Sequence, residues 1–545
     1  MKDILKLFNK QSFLCAFVIW IILNITGIQN MFFQGKNLIL TLIIKVLHLI
    51  FLYTIIAKIQ SLYKHRETPK VKNEIIISGI YFLILAILLI MVWPGTWAAD
   101  DIQIVTNASY LILTPWQHFF SGMFQILCLQ TIPIPSGVVI MQILIASFIV
   151  GYCISNIANL YGKNKKQIII LELILGLITL APPLLIYILS GFRMGMYSYL
   201  ELLLITKILI LYKENKEITF IEIFKISLVT IIISCWRTEG IYYPFFILMI
   251  YLVLGNRVIR KKTAIIAFFI VMIINVSIIK INNSMIGNNN YSLTATMEPV
   301  VALLRHSDES DKKEIEAINK IMDVEYIIEN PEDTGELCFW EVGVVENEYT
   351  KEEYANYFKA YLKLAIKYPD VTFKSMWNIF LRAGSGFGED GKQTTKNMVA
   401  NTAGETLELF NIRTRTGRLW NLVSTADHRV KNAINEDLRK SVISFLNGTD
   451  ENANLTIIHN ICWNLFIPFT LILICLIYKI IKKDWFMVLV ILTVIVRIPI
   501  VFVTSPAEYF MYYLSAYLCI YIISAIIIFE FISKLKNKKV KLLKE

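Results

Sequence analysis

The chain has 545 residues, 56% of them hydrophobic and 17% charged, with a formal net charge of +11. Several apolar runs reach the ~20 residues that cross a bilayer as a helix, which excludes a soluble globular fold and predicts a multi-pass membrane protein. The basic excess lies in short segments between those runs, beside anionic lipid, so no nucleic-acid partner is expected.

The first run, 12–28, follows Lys2, Lys6 and Lys10. It stands where a secretory signal would, but it lacks a small-residue cleavage site and many more runs follow, so a retained helix with a cytoplasmic N-terminus is expected. The second run, 37–58, ends in KHRETPKVK and carries Lys45 and His48 at a spacing of three, as a proton relay or a structural pair would. The third, 75–93, exits into residues 94–136, a stretch without Lys or Arg that is therefore expected outside. The fourth, 137–160, returns to GKNKK.

Spans five and six (168–189 and 197–212) flank SGFRMGMYS outside, and spans seven and eight (218–235 and 241–255) flank WRTEG outside. Span nine (263–281) follows NRVIRKK and leads out to a polar insert. Spans ten to twelve (456–478, 485–503 and 511–533) close the chain, with TSPAEY outside and KLKNKKVKLLKE inside. Every basic cluster then falls on one side. The expectation is an all-α polytopic membrane protein of about twelve spans, with both termini cytoplasmic, embedded in the plasma-membrane bilayer. Lys207 and Lys225, toward the inner ends of their spans, read as snorkelling side chains.

Three regions follow: 1–281 with about nine spans, an extracytoplasmic insert at 282–454, and 455–545 with about three spans. The insert holds about 27 acidic and 19 basic residues, so it is near −8 while the remainder is near +19. It reads as mainly helical. SDESDKKEIEAINKIM opens with capping residues, and Thr350 followed by Glu353 is a capping box. Apolar residues at 354, 357, 358, 361, 362 and 365 form a helical stripe, and a further helix is expected to end at Gly384. Eight cysteines lack any CxxC or Cys/His spacing, which indicates neither a disulfide framework nor a metal site.

Candidate chemistry gathers on the outer side. In WPGTWAADDIQIV, Asp100 and Asp101 lie just past span three. One of them, near the membrane, could act as a general base or hold a divalent cation, and the same ADD could simply cap a short helix. His118 stands among aromatics in TPWQHFFSGMF, where an interfacial anchor and a reacting group are both open readings. Arg193, Arg237 and Glu239 occupy outer loops, and Arg497 lies inside span eleven, where a charge is expensive and usually faces a cavity or partner. The bidentate donors of arginine suit phosphate.

Several segments together resemble the GT-C superfamily of integral-membrane glycosyltransferases, in its bacterial cell-surface polysaccharide branch. They are PGTWAADDIQ, APPLLIYILSGFRMGMYSYLELLLI, SCWRTEGIYYPFFILMIYLVL, EPVVALLRHSDESDKKEIEAINKIM with YFKAYLKLAIKYPDVTFKSMWNIF, and SPAEYFMYYLSAYLCIYI. The resemblance implies a GT-C-like bundle that takes a sugar from a polyprenyl-phosphate-linked donor and passes it to a glycan or lipid-linked acceptor on the extracytoplasmic face. It also implies an outer-loop carboxylate, Asp101 or Asp100, as base or metal ligand. Relatives often carry Lys-Asp where this chain has Arg193-Met194, and Arg-Tyr where it has Glu508-Tyr509. A polytopic transporter or flippase, or a polysaccharide polymerase, remains the alternative.

Overall fold

The computed structural model describes residues 9–26, 33, 35–113, 118–214, 218–254, 261–286, 290–346, 348–389, 391, 433–450, 452 and 454–542. Lys2, Lys6, the TPWQ stretch and the basic segments near 215–217 and 255–260 lie outside them. Among the described residues no β-strand forms, and two isolated bridges, Met322–Val345 and Thr449–Leu455, are present.

The chain runs through α1 (Lys10–Ile25), α2 (Leu38–Lys64), α3 (Pro69–Met91), α4 (Ala99–Ser109), α5 (Phe119–Thr131) and α6 (Pro135–Tyr161). Then come α7 (Lys165–Thr179), α8 (Pro182–Ile188), α9 (Arg193–Glu214), α10 (Phe220–Ser234), a 3-10 turn (Thr238–Tyr242), α11 (Tyr243–Leu254) and α12 (Lys261–Ile286). Proline opens α3, α6 and α8, where its missing N–H costs nothing. Asn9, Asn37, Asn164 and Thr219 accept backbone N–H groups at the starts of α1, α2, α7 and α10.

Among the described residues, eight helices are long and apolar enough to cross a bilayer, or nine if the pair α7–α8, bent by 62°, is one broken span. That bend falls inside the fifth expected span, at Ala181 before two prolines. The expected first, seventh and eighth spans correspond to shorter helices, α1, α10 and α11. Leu38, Ile39, Leu42, Ile43, Val46 and Ile50 all lie on the exposed face of α2, and α12 similarly exposes Ile266, Phe269 and Ile273. Faces this apolar belong against lipid tails rather than water. The helices α6 and α9 are instead wrapped by their neighbours, and their side chains form the centre of the main core.

The insert begins with α13 (Thr294–His306), α14 (Lys312–Ile318), α15 (Val324–Glu329), α16 (Gly335–Trp340) and α17 (Lys351–Lys367). These enclose a second core, built on Leu293, Met297, Val300, Ile318, Ile327 and Tyr357 and separate from the main one. The next two helices among the described residues, α18 (Pro369–Ser385) and α19 (Glu436–Asn447), place Phe380, Ala383, Ile443 and Leu446 in the main core instead. The chain finishes with α20 (Ile457–Cys462), α21 (Phe466–Ile481), α22 (Trp485–Ile495), α23 (Arg497–Thr504) and α24 (Leu514–Leu542). At the end of the bundle that carries the basic segments, Lys479 bridges Asp484 at 2.9 Å and Glu530 at 3.3 Å, and Lys213 binds Glu530 at 2.6 Å.

Residues 94–136 carry two helices, α4 and α5, the first of them the short helix that ADD can cap. Lys45 and His48 do not pair with each other: Lys45 donates to Asn24, and His48 meets the Thr131 hydroxyl at 3.1 Å.

Candidate functional site

The segment between α3 and α4 is held from several directions. Thr96 donates its N–H to the Leu189 carbonyl at 2.9 Å and its hydroxyl to the Ile186 carbonyl at 2.7 Å. Ser136 and the Trp97 indole both donate to the Pro94 carbonyl at 3.0 Å. Arg439, reaching in from α19, donates to the carbonyls of Val92 and Gly95, the latter at 2.8 Å.

This rigid turn delivers Asp101 to the first turn of α4. Its carboxylate is fully buried, and Oδ1 accepts the Ala98 N–H at 2.7 Å. An acid at that position is favoured by the helix dipole and fixes the entry of the chain. Asp100 occupies the same turn, and its side chain lies outside the described residues. Asp101 meets the 190–193 turn at Gly191, two residues before Arg193. A Cβ on Gly191 would fall 2.5 Å from the Trp97 ring and 3.4 Å from Asp101 Cβ, so the approach requires glycine. Gln125 and Gln142 hold the turn by donating to the carbonyls of Gly191 at 2.8 Å and Ser190 at 2.6 Å.

Arg193 opens α9, and its carbonyl accepts the Trp236 indole N–H at 3.0 Å. That bond brings the Arg237 turn beside it. Arg237 is buried and forms a two-pronged ion pair with Glu239, with Nε 2.9 Å from Oε2. Its guanidinium lies 5.7 Å from the centre of the Tyr512 ring. His118 precedes α5, which is fastened to the same turn by the Phe120 N–H donating to the Cys235 carbonyl at 3.3 Å. Burial, and then the charge on Arg193, hold the His118 imidazole down to about 4, with Arg237 adding to the effect and Glu239 opposing it. It is therefore neutral near pH 7.

Arg497 stands at the break between α22 and α23. It is fully buried, donates Nε to the Tyr512 carbonyl at 3.0 Å and lies 4.7 Å from the centre of the Tyr197 ring. Its two terminal nitrogens have no hydrogen-bond partner among the described residues. Arg497 also acts on Glu201 of α9, a fully buried carboxylate. Ser515 and Tyr243 turn hydroxyls toward Glu201 without reaching hydrogen-bond geometry. Glu201 is not among the residues singled out from the sequence, although a carboxylate within an apolar span is itself a signal.

The fold thus brings His118, Arg193, Arg237 and Glu239 into one neighbourhood, links Arg497 to it through Tyr512, and places Asp101 against the same 190–193 turn. The insert closes over this end: the Tyr509 hydroxyl donates to Glu336 at 2.8 Å, and Arg382 lies 3.5 Å from Glu508. Among the described residues no group of three or more His, Cys, Asp or Glu side chains is arranged to hold a metal ion. No family model, characterised protein or solved structure matches this chain.

Proposed function

We propose that the protein is a membrane glycosyltransferase that moves a sugar from a polyprenyl-phosphate-linked donor to a cell-envelope glycan or lipid-linked acceptor. The reading is supported above all by the gathering of Arg193, Arg237 and Arg497 around Tyr512 and Trp236, with Asp101 set against the 190–193 turn that leads into Arg193, at the bundle end opposite the basic segments. The positive-inside pattern supports an extracytoplasmic setting for that end. A polyprenyl donor keeps its chain in lipid and offers its sugar at this height. In the proposed transfer, an acceptor hydroxyl oxygen attacks the anomeric carbon. The bond from that carbon to the phosphate oxygen breaks, its electron pair stays on the phosphate, and the hydroxyl proton passes to a carboxylate, Asp101 or Asp100. The arginines stabilise the charge that develops on the departing phosphate. Glu239 orients Arg237, and the insert excludes water and borders the acceptor path.

Deletion of the gene, followed by complementation and sugar analysis of the surface polymer, tests this reading. Wild type should restore a missing sugar, whereas Asp101→Asn or Asp100→Asn, present at normal level, should leave it reduced at least a hundredfold, as expected for loss of a general base. Asparagine at 101 keeps an acceptor for the Ala98 N–H, so the cap survives. Full restoration by both variants would overturn the proposal.

The buried Glu201–Arg497 neighbourhood favours a second reading, a transporter or flippase that uses an intramembrane carboxylate. It takes precedence if both aspartate variants complement and Glu201→Gln does not.

A further inference from the structure

A cavity of about 310 Å³ opens on the flank of the bundle, walled by Phe51, Ile55, Ile145, Phe148 and Leu203 and headed by Lys58, Tyr152 and Lys207. It belongs to α2, α6 and α9, two of which, α6 and α9, also frame the candidate site, but it lies toward their other ends. Lys58 precedes the end of α2 at Lys64, Tyr152 the end of α6 at Tyr161, and Lys207 the end of α9 at Glu214. At 1.5 Å per residue these offsets are about 9–14 Å, so the cavity opens within the hydrocarbon layer while the lysine heads can extend toward the headgroups on that side.

The charges at the head of the cavity are unbalanced. Lys58 and Lys207 each lie 5.2 Å from the centre of the Tyr152 ring, so the two ammonium groups are neighbours. Lys58 forms an ion pair with Glu74 of α3. Lys207 has no ion-pair partner among the described residues, and the cations Lys225 and Lys58 both act on it. A snorkelling lysine would extend to water alone. Here the Lys207 stem instead lines an apolar groove, and its head is held over an aromatic ring beside a second ammonium.

We infer that this groove binds an anionic glycerophospholipid of the surrounding leaflet, with the phosphate between Lys58 and Lys207 and an acyl chain along Phe51, Ile145 and Leu203. Charge complementarity selects the phosphate, and the apolar walls select a chain rather than a free ion. The site is independent of the sugar-transfer reading, because its residues lie away from the arginine cluster and its test reads no activity.

Native mass spectrometry of the full-length protein in mild detergent, titrated with phosphatidylglycerol or phosphatidylcholine of identical chains, tests the inference. Wild type should retain phosphatidylglycerol about tenfold more tightly than phosphatidylcholine. Lys207→Gln should lower the phosphatidylglycerol affinity about tenfold, as expected for loss of one charge-assisted contact. Ile145→Trp should lower it similarly while keeping every charge. Lys166→Gln, which removes an exposed lysine, should have no effect. All variants are compared as the fraction that elutes with wild type in size exclusion. Equal affinity of wild type for the two lipids, or equal losses in Lys166→Gln and Lys207→Gln, would overturn the inference. Displacement of phosphatidylglycerol by inorganic phosphate, or by a tenfold lower concentration of a polyprenyl phosphate, would overturn the occupant assigned.

Discussion

Arg439 illustrates how one side chain can govern a site it does not belong to. It is fully buried, and its donors hold the carbonyls of Val92 and Gly95. Burying a guanidinium is costly unless its N–H groups are taken up, and carbonyls freed in a buried place lose a comparable amount. Arg439→Met keeps much of the side-chain volume but removes the donors. It should destabilise the protein by about 2–4 kcal/mol, seen as a lower thermal midpoint in detergent. It should also loosen the turn before Asp101, seen as faster amide exchange at residues 95–98. Unchanged exchange there would show that the Thr96 bonds alone are sufficient. Nothing local in the sequence marks Arg439, because its partners lie more than three hundred residues away. Arg497 differs in this respect: a charge inside an apolar run is itself a signal of burial. Glu201 carries the same signal in LELLLI, yet its neighbours Arg497 and Ser515 come from α23 and α24, far along the chain, and no local pattern pairs them with it.

At the scale of elements, short-range chemistry is the most readable. Thr350 and Glu353 exchange the bonds of a capping box, with Thr350 N–H to Glu353 Oε2 at 2.8 Å and Glu353 N–H to Thr350 Oγ1 at 3.1 Å. The stripe on α17 is rotated slightly from the expected one. Tyr357, Ala360, Tyr361 and Leu364 are buried, whereas Phe358 and Leu362 stay exposed. Likewise α18 runs past Gly384 and stops at Gly386, whose φ of +79° is the left-handed conformation that ends helices. A glycine in a sequence announces a possible stop, but neighbouring contacts choose which of two glycines takes it. Between the start of α14 and the end of α17, the side chains of Lys367 and Tyr368 donate to Asp311 at 2.6 and 2.8 Å. Burial alone would push the Asp311 carboxyl up, but these two bonds and the Asp308 N–H outweigh it and hold it below its usual 3.8. The Asp311 hydrogen bond, with Tyr368 second, raises the Lys367 ammonium above 10.5. A depressed carboxyl stabilises above its unfolded value and loses that contribution as the pH falls through the folded one. A raised ammonium stabilises below its unfolded value and loses the contribution as the pH rises through the folded one. The pair should therefore be worth most between about pH 4 and pH 10. Lys367→Met should lower the thermal midpoint at pH 7 and lower it less at pH 3, and equal losses at both would refute the linkage.

At the scale of the molecule, hydropathy reveals the membrane class and charge reveals which loops belong together, because both follow from the bilayer acting as solvent. Span number is less readable, since the bend at Ala181 and the short helices α1, α10 and α11 obey packing rather than length. The division of the insert is not readable either: its own core ends with α17, while α18 and α19 join the bundle. The small module is nevertheless tied to the final turn of the bundle by Tyr509 and Glu336, beside the arginine cluster. If this hydroxyl holds the module over the cluster, Tyr509→Phe removes one bond, about 1 kcal/mol, without disturbing either core. Amide exchange in α16 should then quicken about fivefold, while α6 and α9 keep wild-type protection. Quickening throughout the bundle would mean that the module and the bundle unfold as one unit. Unchanged α16 would mean that the packing of α13 against α18 and α23 already holds the module in place.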